Sequence, residues 1–266
     1  MQRILSLAVG ITTNEVIENE ALINSWTDVF DTVIGKVAFE YTNMVAVSPI
    51  LDMIDRKNSI PKRKKGNKLL MSLARNCGEE AFDEEDQILR KIVGICGDTN
   101  YEIRLDGVMF LRDYLSLNAE KLKEGNRLEN VYLPELYELL NDEESMVRIE
   151  AIEASIEVLT TMGVENVEKQ FIPPLLKMLN LKSTSEEVVP RMSKLIGKIA
   201  HKLMQLDLHQ KHKEPILNYF QWLTEVDEDE IRLNAAFNLP AFQMIYMKPT
   251  SDKLIILKAK PTTANT

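Results

Sequence analysis

Glycine and proline are scarce in this 266-residue chain, ten of each, and aromatic residues make up only 6% of it. Hairpins and Gly-rich turns need more of both, while the abundant leucine, isoleucine, glutamate and lysine favour helix over strand, so the composition points to an all-α fold. There are two cysteines, Cys77 and Cys96, with no CxxC spacing, which argues against a disulfide framework or a zinc site and leaves them as small core residues. No apolar run approaches the roughly 20 residues that a membrane span requires. The opening MQRILSLAVGITTNE also lacks the long apolar centre and cleavage site of a secretory signal. The chain therefore reads as soluble and cytoplasmic, without a membrane partner. Positive charge is short too: the net charge of −9 speaks against nucleic acid, whose affinity rests on phosphate neutralisation, and favours basic partners.

What the sequence does contain is a repeat. ILRKIVGICGDTNYEIRLDGVMFLRDYL (88–115) is echoed by YLPELYELLNDEESMVRIEAIEASIEVL (132–159). A branched apolar residue opens the second helix of each unit, at Ile60, Ile103, Val147, Val189 and Ile231, separated by 43, 44, 42 and 42 residues. That interval lies within the roughly 40 to 47 residues of HEAT repeats, helix pairs stacked side by side.

Residue types agree with the spacing. In three units the branched residue precedes arginine (Arg104, Arg148, Arg232), and an aspartate stands a few positions earlier (Asp98, Asp142, Asp227). The aspartate falls in the turn, where its carboxylate can take free amides at the start of the second helix. Pro49, Pro134 and Pro173 fall near the start of first helices, with Pro215 as a fourth, where a missing N–H costs little. In VRIEAIEASIEVL, Val147, Ile149, Ile152, Ile156 and Leu159 follow a 3.6-residue period, which implies a buried face and a wet face carrying Glu150, Glu153 and Glu157. Two units fit less well: RKNSIPKRKKGNKLL has lysines where the Asp turn should be, and Pro190 follows Val189, tolerable only in the first helical turn.

The expected architecture is an all-α, HEAT-repeat α-solenoid, a right-handed superhelix of antiparallel helix pairs over 1–248, followed by an irregular tail at 249–266. The helix pairs are 2–11 with 21–36, 43–54 with 61–76, 84–96 with 101–117, 129–140 with 145–162, 167–180 with 185–204, and 211–224 with 229–246. Solenoids need terminal repeats with a polar outer face. Here ILSLAVGI opens the chain and FNLPAFQMIYM closes the last pair with no evident cover, so the chain reads as part of a longer array.

Catalytic chemistry finds little support. His209 and His212 sit at i and i+3, a spacing that can bring two imidazoles to one metal, but no third ligand is evident and a solvent-facing pair explains them better. The carboxylates of FDEEDQ (82–87) suit a helix start. There is no Walker loop, GxGxxG or GxSxG. The expectation is no enzyme, no metal and no cofactor. The basic patch PKRKKGNK (61–68) could hold an acidic peptide, serve as a nuclear import signal, or be a solvated helix start placed against its own dipole.

GDTNYEIR (97–104), YLPELYELLNDEESMVRIEAIEASIEVL (132–159) and IRLNAAFNLPA (231–241), with NSWTDVFDTVIGKV (24–37), carry a resemblance to the HEAT-repeat regulatory and scaffold subunits of phosphatases of the 2A and 4 type. Order and spacing correspond over roughly 20–248, and the tail departs from the pattern. The resemblance implies a noncatalytic subunit that binds a serine/threonine phosphatase catalytic subunit, with further regulatory subunits as additional partners and metals belonging to the catalytic partner. It implies a polar ladder of Asp98, Asp142 and Asp227 with Arg104, Arg148 and Arg232. It places partner contacts on the turns, at Thr99, Asn100, Tyr101, Glu143, Glu144, Ser145, Met146, Glu228 and Asp229. An importin-like adaptor, or another HEAT-repeat adaptor for protein partners, would use the same fold.

Overall fold

A computed structural model describes residues 1–14, 19–77, 87–118, 128–180 and 187–246. Every regular element among the described residues is helical, and the helices follow one another near the bounds expected from the sequence. Helices α1 (Gln2–Thr12) and α2 (Glu20–Ile34) form the first pair. Helix α3 (39–53) and α4 (Ile60–Cys77) form the second. The third is α5 (Gln87–Cys96) with α6 (Tyr101–Asn118), and next in chain order come α7 (128–140) and α8 (Ser145–Val158). The fifth is α9 (164–180) with α10 (Val188–Gln205), and the sixth α11 (Lys213–Glu225) with α12 (Asp229–Tyr246). The acidic segment 82–86 and the tail lie outside the described residues, as does the Cys77 side chain.

The chain divides into two compact units, 1–139 and 140–266. In the first, the second helices α2, α4 and α6 pack side by side. Their core includes Phe30, Ile34, Leu69, Leu73, Ile103 and Leu111, all essentially inaccessible to water. In the second unit, α8, α10 and α12 do the same around Ile152, Ile196, Ile199 and Phe242, and α9 packs on α11. Phe220 of α11 stacks on Phe242 of α12 with ring centroids 3.9 Å apart. Each helix pair leaves apolar surface for its neighbour, so burial depends on stacking.

The structure revises three local readings. Pro49, Pro134 and Pro173 are not at helix starts, because each first helix begins earlier and passes through a π-helical turn just before its proline: Asn43–Val47, Leu128–Tyr132 and Val167–Phe171. A proline ring clashes with the carbonyl four residues back. That residue (Val45, Asn130 or Lys169) is in every case the middle of the widened turn, which gives the ring room. Pro215 and Pro190 do lie in first turns.

The second revision is one of frame. Ile60 is 36% exposed, whereas Ile103, Val147 and Ile231 are buried, and at the fifth pair Val188 rather than Val189 takes the buried place. Lys62-Arg63 and Val188 are therefore the true openings of the two poorly fitting units. The third concerns α8, where Glu150 is only 2% exposed instead of wet, and Glu153 is half-buried.

Close crossings explain three glycines. A Cβ on Gly66 would stand 2.8 Å from Met53 Cβ, and one on Gly107 would stand 2.9 Å from the Cys96 backbone nitrogen. On Gly197 it would collide with the Asn238 amide. Cys96 is buried there, and burial pushes its thiol well above the ordinary value, with Glu135 adding to the shift.

Candidate functional site

In the first unit the turn between α5 and α6 is built by its own side chains. Asp98 accepts the Asn100 amide at 2.8 Å, an Asx turn. Asn100 in turn caps α6, its Oδ1 accepting the amides of Glu102 (3.0 Å) and Ile103 (3.3 Å). Arg104 folds back on the same turn and donates to the carbonyls of Asp98 (3.0 Å) and Thr99 (3.3 Å). The Asp98 carboxylate, itself buried, meets Arg63 of α4 and lies 3.9 Å from Arg56. Asn100 thus has a structural task, while Thr99 and Tyr101 face outward, Tyr101 with 43% exposure.

The same turn chemistry occurs one pair earlier, at a residue that the sequence reading missed. Asp55 accepts the Lys57 amide at 3.0 Å, and that bond holds its carboxyl below the ordinary range. Asn58 donates to the carbonyls of Asp52 (2.6 Å) and Met53 (3.1 Å), which close α3. The signal was available, since Asp55 stands 43 residues before Asp98. Between these two turns lies a cavity of about 400 Å³ lined by Asp55, Arg56, Lys91, Gly94 and Asp98 among others.

The second unit carries two such turns. Asp142 accepts the Glu144 amide at 2.8 Å, and Arg148 donates to the carbonyls of Asp142 (2.6 Å) and Glu143 (2.8 Å) while its Nε reaches Met178 Sδ at 3.4 Å. Glu143 and Glu144 are exposed, and Ser145 and Met146 are half-buried. At the last turn Arg232 donates to the Val226 carbonyl (2.7 Å) and pairs with Asp229. Asp227, Glu228, Asp229 and Glu230 are all exposed, so this turn is a concentrated acidic surface. Arg104, Arg148 and Arg232 each hold carbonyls of their own turns, and the bridge at Asp98 comes from Arg63 of the preceding pair.

Along the second helices the structure also brings polar residues under cover, among them Glu150, which periodicity assigned to solvent. Three positions past the opening residues of α4, α6, α8, α10 and α12 stand Lys65, Asp106, Glu150, Arg191 and Asn234. In the first unit Asn67 donates to Asp106 at 3.0 Å, yet burial pushes that carboxyl up against the pull of Asn67 and Lys64. Burial likewise pushes the Lys65 amine down. In the second unit Arg191 joins Glu150 and Glu153, the latter at 2.7 Å. Asn234 donates to Ser193 Oγ at 3.0 Å, and Asn238 to the Ser193 carbonyl at 2.8 Å.

The basic patch at 61–68 is part of this system. Arg63 reaches Asp98 and Lys64 reaches Glu102 at 2.7 Å, a bond that raises the lysine's pKa. Two of its charges therefore join consecutive helix pairs. His209 and His212 are half-buried instead of solvent-facing: the His209 ring lies 6.2 Å from that of Tyr246, and His212 Nε2 lies 3.6 Å from Glu168. Among the described residues no group of three or more His, Cys, Asp or Glu side chains could hold a metal ion, and no helix is long and apolar enough to cross a membrane.

Comparison with known proteins places this geometry. No family model matches the chain. It is 24% identical over 255 residues to the serine/threonine-protein phosphatase 4 regulatory subunit 4 of Mus musculus, covering 85% of this chain and 27% of that protein. The Homo sapiens protein of the same name is 24% identical over 252 residues, covering 85% and 28%. The chain thus spans about a quarter of the length of these curated relatives.

Among solved structures, a chain from a study of Kap95p and RanGDP in nuclear import superposes with a TM-score of 0.68 at 12% identity, over 91% of this chain and 31% of that one. The structure of the karyopherin Kap121p bound to the extreme C-terminus of the protein phosphatase Cdc14p gives 0.60 at 15%, over 91% and 24%. A designed armadillo repeat protein in complex with the peptide (KR)4 gives 0.53 at 21%, over 90% and 99%. At these identities the structures speak for the fold alone, and the fold is the HEAT and armadillo type of helical repeat.

Proposed function

We propose that this chain is a noncatalytic scaffold segment that binds a serine/threonine phosphatase catalytic subunit of the phosphatase 4 or 2A type. The observation that carries the reading is the similarity to phosphatase 4 regulatory subunit 4, which runs through 85% of the chain and so involves the repeats as a series. Helical-repeat architecture supports the coarser statement, a role in holding protein partners. The binding surface in this reading is supplied by turn residues. Thr99 and Tyr101 contribute in the first unit, and Glu143, Glu144, Ser145, Met146, Glu228 and Asp229 in the second. Glu143, Glu144, Glu228 and Asp229 are exposed and acidic, which fits a basic patch on the partner. Asn100 contributes through the turn shape that it caps. The active-site metals belong to the catalytic partner.

The test is recovery of partners from cytosol on the tagged chain, with identification by mass spectrometry, beside a variant carrying Asp142→Ala, Glu143→Ala and Glu144→Ala. The reading expects a phosphatase catalytic subunit that the variant loses. Recovery of import cargo or a small GTPase in its place would move the chain to the adaptor class and remove the phosphatase assignment.

A further inference from the structure

The cavity between the two turns of the first unit is asymmetric in what its charged groups have left to bind. Among the described residues that line it, Asp55 and Asp98 are acids and Arg56 and Lys91 are cations. Both acids are engaged by the fold. Asp98 accepts the Asn100 amide and pairs with Arg63, while Asp55 accepts the Lys57 amide and lies 3.8 Å from the Lys57 ammonium. The cations are not so engaged. Arg56 donates from one terminal nitrogen to the carbonyls of Gly97 (2.9 Å) and Gly94 (3.4 Å) at the end of α5, and its Nε stands 3.9 Å from Asp98. Its other terminal nitrogen has no acceptor among the described residues, and the side chain is 63% exposed. Lys91 is exposed and makes no hydrogen bond or salt bridge among the described residues. The buried side chains of Ile54, Ile95 and Ile103 complete the wall. A pocket whose acceptors are satisfied and whose cationic donors are free selects an anion, and the isoleucines beside them suit an aliphatic stem.

Gly94 supplies a second, independent observation. Glycine is unfavourable inside a helix, and at Gly66, Gly107 and Gly197 close crossings account for it. A Cβ on Gly94 would meet no atom within 4 Å among the described residues, so helix packing gives no reason for glycine there. Gly94 lines the cavity, and the space that its missing side chain leaves is the cavity's own. We propose that this cavity docks an acidic segment of a partner protein, with one glutamate carboxylate between Arg56 and Lys91 and its methylenes against the isoleucines. The volume of about 400 Å³ lies within the roughly 300 to 1,000 Å³ of ligand sites. The charged rim is exposed, so a side chain carried on another protein can enter. With a net charge of −9 the whole chain repels an anion at long range, so recognition depends on contact with these two cations. This assignment does not rest on the phosphatase reading.

The experiment titrates the whole chain into a rhodamine-labelled octapeptide of alternating glutamate and serine, and into its glutamine and serine counterpart, and reads fluorescence anisotropy. Saturable binding of the glutamate peptide and none of the glutamine peptide are expected. Lys91→Gln removes a side chain with no bond to the fold and should weaken binding at least about tenfold. Gly94→Leu should weaken it as much by filling the cavity, without lowering the melting temperature, since leucine is the better helix former. No binding of the glutamate peptide, equal binding of both peptides, or an affinity unchanged in either variant would overturn the proposal. Free glutamate that displaced the peptide at equal concentration would overturn it as well, by making the occupant a small dicarboxylate.

Discussion

Helices α8 and α12 occupy the same place in their pairs and differ in what surrounds them. In α8 the buried residues run all the way round, from Val147 through Ile152 to Val158, and include Arg148 and Glu150. In α12 one face is buried and the opposite one, just as apolar, stands open. A helical wheel describes both sequences similarly, because the wheel records what a residue is and not what lies beside it. Interior second helices must satisfy polar groups under cover, and α8 does so by pairing Glu150 with Arg191. A helix with an open apolar face has no such constraint on that side, and its apolar side chains there stay in contact with water.

The largest contrast should come from apolar truncation. Ile152→Ala in α8 removes packing from a fully buried position and should lower stability by about 3 kcal/mol, whereas Phe237→Ala on the open face of α12 should cost at most about 1 kcal/mol. Urea denaturation of both variants measures the difference, and equal losses would erase the distinction between the two helices. Next in size is Gly197→Ala at the crossing of α10 and α12, where the added methyl meets the Asn238 amide, for a loss of about 2 kcal/mol. In a double-mutant cycle, Asn238→Ala should relieve part of that loss, since the clash needs both side chains.

Smaller effects sharpen the polar side of the comparison. Glu150→Gln leaves Arg191 with Glu153 as its remaining acid among these partners and should cost about 1 kcal/mol, less than breaking a fully buried pair. Thermal melts of the variant against the parent would show it. The smallest change is expected at Asp106, which occupies the corresponding place in α6. Its folded-state carboxyl is pushed above its ordinary value of 3.8, mainly by burial. The stability linked to its protonation is therefore fully present below that ordinary value and is lost as pH rises through the folded value. Asp106→Asn keeps an acceptor for Asn67 and should be slightly more stable than the parent at neutral pH, with the advantage shrinking toward about pH 4. Denaturation midpoints at the two pH values check both sign and direction.

The six helix pairs were legible because the signal is redundant: period, the Asp and Arg of the turn, and apolar spacing agree in three units. Where one mark was missing the frame slipped, as at Ile60, where Arg63 and Asp55 carry the pattern that the lysine-rich run obscured. The column from Lys65 to Asn234 was not legible, because a charged residue on one helix reads as solvated until the neighbouring helix is in place. The π-helical turns before Pro49, Pro134 and Pro173 were hidden for a related reason: a proline six residues beyond the start of such a turn looks like a helix start. Turn residues could be named from the sequence, but their separate tasks could not. Asn100 caps α6 while Glu143 and Glu144 stand exposed, a difference that lies in the hydrogen bonding of each turn.

The most direct measurement is a binding titration of the whole chain with purified phosphatase 4 catalytic subunit, by calorimetry, alongside the variant with Asp142→Ala, Glu143→Ala and Glu144→Ala. A saturable one-to-one complex, weakened at least about tenfold in the variant, and weakened likewise by Glu143→Ala with Glu144→Ala alone, which leaves the Asp142 turn bond in place, is the expected result. No heat of binding at any accessible concentration, or a complex indifferent to those three residues, would contradict a phosphatase scaffold that works through its turns.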